Sequence, residues 1–109
     1  AALEMAFPGG SPNTARAHVA LAGLAIDSRR ADDALRHALA ADSLNAELPS
    51  LHRARVVSQA ILIQARSLDG DASLADLDEF VERVQRAGFD DAVVLAELRA
   101  IRESMAADR

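Results

Sequence analysis

Small residues recur between Leu21 and Ala41 at separations that suit a closely packed pair of helices. In LAGLAIDSRRADDALRHALAA, the alanines Ala22 and Ala25 precede the charged turn Ser28, Arg29, Arg30, and Ala34, Ala38 and Ala41 follow it. Residues three or four apart share one helix face, so each half presents a thin stripe that its partner can approach. Alanine is also the best helix former, and the runs of alternating β-branched residues that would argue strands are absent. The fold class that follows is all-α, with about five helices arranged as stacked antiparallel hairpins.

Punctuation along the chain sets the expected helices. Ser11 followed by Pro12 is a start signal, a side-chain acceptor before a residue that lacks the N–H a first turn would leave unpaired. The first helix then runs to about Asp27. Val19, Ala22 or Gly23, and Ile26 give its stripe, and Leu21, Leu24 and Ala25 widen it, which predicts cover on more than one side. The second runs from Ala31 to about Leu44, with Asp32 and Asp33 at the positive end of its dipole and a stripe of Ala31, Ala34, Leu35, Ala38, Leu39 and Ala41. A connector from Asn45 to Ser50 follows, where Pro49 disfavours helix at Leu48.

Ser50 is the expected cap of a third helix from Leu51 to about Leu68, apolar nearly all round at Val56, Val57, Ala60, Ile61, Leu62 and Ile63 and so the central element. Asp69, Gly70 and Asp71 close it. Ser73 with Asp76 three residues on approximates a capping box for the fourth helix, whose stripe is Leu74, Leu77, Phe80, Val81 and Val84. Gly88 supplies a left-handed stop. Asp90 is the expected cap of the fifth, where Val94, Leu98, Ile101 and Met105 repeat at four, three, four.

The chain has 109 residues, one domain's worth, enough to bury roughly two thirds of its unfolded surface. Leu3, Met5, Ala6 and Phe7 read as a helix end broken by Pro8, Gly9 and Gly10, so residues 1–10 are assigned to the end of a preceding segment or a linker, and residues 11–109 to a single helical-repeat domain. Net charge is −5, which opposes direct contact with nucleic acid, where affinity rests on clustered cations that neutralise phosphates. Every basic residue is Arg, a usage typical of GC-rich bacterial genomes. Cysteine is absent, which excludes disulfides and thiolate metal sites within the chain and suits a cytoplasmic location. No apolar run approaches the ~20 residues that span a bilayer.

Residues able to do chemistry are few and scattered. Of His18, His37 and His52, no two stand at i and i+4 on one helix as a metal pair would. Asp32 with Asp33, Asp69 with Asp71, and Asp90 with Asp91 all fall at helix starts or turns, where capping and the helix dipole explain them. There is no phosphate-cradling glycine loop and no Ser-His-Asp or Cys-His arrangement. A non-catalytic chain with no cofactor and no metal is the expectation.

The first helix pair resembles a tetratricopeptide repeat, a unit of about 34 residues with small residues at fixed separations. Leu21 and Ala22 stand at the family's Leu-Gly pair, Ala25 where it prefers Tyr, Ala34 at its interhelix Ala, and Ala38 and Ala41 at the next packing positions. Arg29 replaces the turn Gly, His18 stands at the usual Trp and Ala46 at the closing Pro. The second pair is tetratricopeptide-like only. The alanine-rich texture is similar to helical segments of large bacterial transcription regulators of the LuxR type.

That resemblance implies a concave face lined by the first helix of each pair, here Arg16, Val19, Gly23, Ile26 and Asp27, then Val57, Ile61 and Gln64. It implies a protein-interaction or sensory scaffold that takes a peptide, a protein or a flanking domain of the same chain. The alternative is a free-standing bundle with a small-molecule effector pocket or a dimer role, two copies meeting through end helices. Arg53, Arg55 and Arg66 on the third helix, against six acids and no base from Asp69 to Glu82, predict either rim contacts between the third and fourth helices or an arginine-bearing groove.

Overall fold

A computed structural model describes residues 12–107 of the chain. The helix end expected at Leu3 to Phe7, the linker over residues 1–10 and the Ser11 cap lie outside the described residues. Five helices follow in order: α1 Pro12–Asp27, α2 Ala31–Asn45, α3 Arg53–Ser67, α4 Leu74–Arg86 and α5 Ala92–Ala107. The described chain is all-α. Helices α1, α3 and α5 pack in succession, α1 on α3 and α3 on α5, while α2 packs on α1 and α3, and α4 on α3 and α5. The odd-numbered helices therefore form one layer and the even-numbered ones a second, with α3 touching all four others.

Local chemistry explains where each helix stops. Arg29 adopts φ 59°, and Arg30 N–H donates to the Ala25 carbonyl at 2.8 Å, the six-to-one bond of a left-handed helix terminus. Gly88, with φ 107°, does the same for α4, letting Phe89 N–H reach the Val84 carbonyl at 2.9 Å. At the start of α4 both halves of a capping box are made: Asp76 N–H donates to Ser73 Oγ, and Ser73 N–H to the Asp76 carboxylate.

Two caps differ from the sequence expectation. Helix α3 begins at Arg53 and is capped by His52, whose Nδ1 accepts from Ala54 N–H at 3.1 Å. The cause is the Pro49 carbonyl, which accepts His52 N–H at 2.9 Å and holds Ser50 and Leu51 in a turn. Helix α5 is capped by Asp91, whose Oδ1 accepts from Val94 N–H at 3.1 Å, so Asp90 stands one residue outside the cap.

Buried side chains fall into two clusters. In one, Val56 and Ala60 of α3 meet Leu77, Phe80 and Val84 of α4, Phe89, and Val94, Leu98 and Met105 of α5. In the other, Ile61, Leu62 and Ala65 of α3 meet Ala22, Ala25 and Ile26 of α1 and Ala34 and Ala38 of α2. The alanine stripe is thus the interface between α1, α2 and α3. Leu21 and Leu24, expected to be covered, are exposed on the outer side of α1, and Leu39 on that of α2. The face of α1 that carries Ala22, Ala25 and Ile26 meets both neighbours.

A candidate ligand cleft

The cleft is built where the N-terminal turns of the odd-numbered helices converge. Ala15, Arg16 and Val19 come from α1, Arg53, Ala54 and Val57 from α3, and Val94 and Glu97 from α5. Leu44 and Asn45 at the end of α2, with Leu48 and His52 of the connector, complete the walls around about 680 Å³. That volume lies within the usual range for ligand sites, which are mostly apolar with a few placed polar groups. Here the apolar part is supplied by Val19, Leu44, Leu48, Val57 and Val94.

The connector that forms one wall is pinned by side chains. Asn45, itself buried, donates from Nδ2 to the Ala54 carbonyl at 3.2 Å. Arg55 donates from Nη1 to the Leu48 carbonyl at 2.7 Å. These bonds join the end of α2 to the start of α3 across a stretch with no helix of its own. A loop held in this way keeps a defined shape beside the cavity.

Charge enters at the rim. Arg53 pairs with Asp91 at 3.3 Å, an exposed contact of the kind worth only tenths of a kcal/mol. Arg16 is exposed and has no ion-pair partner among the described residues. Glu97 is the acidic member of the lining. The expected pairing of α3 arginines with α4 acids is not what the charges do: Arg53 turns to Asp91, Arg55 to a backbone carbonyl, and Asp78 of α4 receives a two-point contact from Arg102 of α5. Antiparallel packing aims α3's first turn at the start of α5 rather than at the acidic face of α4.

Of the eight residues expected along the groove, Arg16, Val19 and Val57 are brought together in the cleft. Ile26 and Ile61 sit in the alanine-rich core. Gln64 is buried and donates from Nε2 to Ser104 Oγ at 3.3 Å, which ties α3 to α5. Gly23 is half-buried and Asp27 exposed near the far end of α1, away from the cleft lining. Leu44, Asn45, Leu48, Val94 and Glu97 were outside the expected set. For Leu44, Asn45 and Leu48 the signal was the connector itself, because the seven residues 46–52, with Pro49 among them, have to cross the open end of the hairpin, whereas Val94 and Glu97 carried none, since they depend on where α5 packs.

A second polar feature joins α1 to α2. The Nδ1 atoms of His18 and His37 stand 3.0 Å apart, with ring centres separated by 5.2 Å. His37 has its pKa lowered by desolvation, then by the charges of Arg36 and His18, with Asp33 opposing and Arg30 adding to the fall. Among the described residues, no group of three His, Cys, Asp or Glu side chains is placed to hold a metal ion. No described helix is long and apolar enough to cross a membrane. No protein-family model, curated protein or solved structure matches the chain.

Proposed function

We propose that this chain is a non-catalytic, tetratricopeptide-like docking module, a segment of a bacterial transcription regulator, that binds a stretch of polypeptide in the cleft between α1, α3 and α5. The observation that carries the reading is the cleft's position. It opens between the first helices of successive hairpins, and stacked helical repeats use the extended concave surface they create for binding. Apolar walls with Arg16 at the rim suit a partner segment that brings aliphatic side chains and an acidic group. A neighbouring domain of the same regulator meets that description as well as a separate protein does.

Capture of partners by the immobilised chain, compared with Val57→Trp and Arg16→Glu, tests the reading. Val57→Trp fills the cleft and Arg16→Glu reverses its rim, so both are expected to lose the same partner while retaining the helical signal. Retention of every partner by both variants would remove the cleft from the account. The volume also supports a second reading, a pocket for a small effector. In that case a small molecule raises the melting temperature of the parent chain but not of Val57→Trp, and no polypeptide depends on the cleft.

A further inference from the structure

We propose that His18 and His37 form a proton-gated clasp across the α1–α2 hairpin, closed while the pair carries at most one added proton and forced apart by the second. The geometry of the rings carries this. The centre-to-centre distance of 5.2 Å exceeds the Nδ1 to Nδ1 distance of 3.0 Å by close to one imidazole diameter. Both nitrogens therefore lie near the line joining the ring centres and point at one another, the arrangement of a straight N–H···N hydrogen bond. Two ligands of one metal ion would instead aim at a shared third point.

Such a bond needs one Nδ1 bearing hydrogen and one with a free lone pair. The neutral pair satisfies it, and so does a pair with one added proton, in which an imidazolium donates to a neutral ring. With two added protons, N–H faces N–H at 3.0 Å. Both the bond and the charge balance then fail together.

The surroundings offer the second proton no relief. Asp33 is the carboxylate that favours a charged His37, but it already receives Arg36 at 3.1 Å and Arg30 at 3.5 Å. Helix α3, which packs on both members of the hairpin, carries Arg53, Arg55 and Arg66 and no acid. Asp27 on α1, and Asp32 and Asp42 on α2, stand more than a helical turn from the histidines along their own helices. Elsewhere α1 and α2 meet largely through alanines, Ala22, Ala25, Ala34 and Ala38, with Val19, Ile26 and Leu35 beside them. Arg16 and Val19 flank His18 and line the cleft, and the cleft wall follows the clasp when it parts.

Burial and the nearby positive charges lower the His37 pKa in the folded chain, so the unfolded chain takes up that proton at higher pH. Stability from the clasp is therefore complete above the ordinary imidazole value of about 6.5 and is lost as pH falls through the lowered folded value. Nitrogen NMR of the imidazoles, followed in the full chain from about pH 8 to 4.5, tests it against the range in which histidine titrates. The His37 ring is expected to titrate in two steps rather than one, the signature of coupled sites. In His18→Gln, His37 then titrates in a single step nearer the ordinary value.

Urea unfolding of the parent, His18→Gln, His37→Gln and the double variant supplies an independent reading. The coupling between the two residues is expected to be favourable at about pH 8 and to vanish or reverse at about pH 5, on either side of the imidazole value. A single-step titration of His37 in the parent chain overturns the proposal, whether or not the variants fold. A coupling that does not change with pH overturns it as well.

Discussion

Gly23 lies in the interior of α1 with nothing within 4 Å of where a Cβ would stand. A helical glycine costs roughly 0.5–1 kcal/mol relative to alanine through the freedom it has in the unfolded chain, and here no packing requirement offsets that cost. Gly23→Ala is expected to raise unfolding free energy by about that amount, read as a higher urea midpoint at unchanged slope. Arg29 is the opposite case, a side-chain-bearing residue held at φ 59° where a left-handed backbone costs an L-residue roughly 1–2 kcal/mol. Arg29→Gly relieves the strain but frees the unfolded chain and removes the side chain's own contacts, so a net gain of about 0.5–1 kcal/mol is expected. A lower melting temperature for this variant would mean that the contacts of Arg29 outweigh its strain.

Helix ends separate what local sequence reveals from what it conceals. Ser73 and Asp76 were legible as a cap because both partners lie within four residues and their reciprocal bonds need only the first turn of α4. Ser73→Ala removes the acceptor for Asp76 N–H, with an expected loss of about 1 kcal/mol, measurable by chemical unfolding. Gly88 was legible for the same reason, since a left-handed stop is decided within the helix it ends. The cap of α3 was not, because it depends on the Pro49 carbonyl engaging His52, and an imidazole is an uncommon cap. Nor could periodicity choose between the adjacent Asp90 and Asp91. The apolar pattern of α1 marks Leu21, Leu24, Ala22 and Ile26 alike, and only the packing of α2 and α3 decides that the leucines face outward. Partners distant in the chain were the least visible: His18 and His37 meet across 19 positions, and the cleft needs α5 beside α1 and α3.

At the scale of the molecule, α3 belongs to both buried clusters, and its two faces decide how the chain unfolds. Val56 and Ala60 belong to the cluster with α4 and α5, and Ile61, Leu62 and Ala65 to the cluster with α1 and α2. Ile101 of α5 packs against both, and Gln64 ties α3 to α5 by its bond to Ser104. Loss of either cluster therefore exposes one side of α3 and weakens the backbone on which the other is built. Such sharing favours one cooperative transition over stepwise melting of hairpins, although stacked repeats gain much of their stability from neighbouring interfaces. Leu77 provides the test, being among the largest fully buried side chains and lying in the cluster remote from the alanine stripe. Leu77→Ala is expected to cost about 2–5 kcal/mol. If α3 couples the clusters, the helical signal and the methyl resonances of Ile26, in the opposite cluster, shift to the same lower denaturant midpoint. Ile26 resonances that keep the parent midpoint while α4 and α5 melt early would divide the chain into two units, and α3 would then be a boundary between them rather than a bridge.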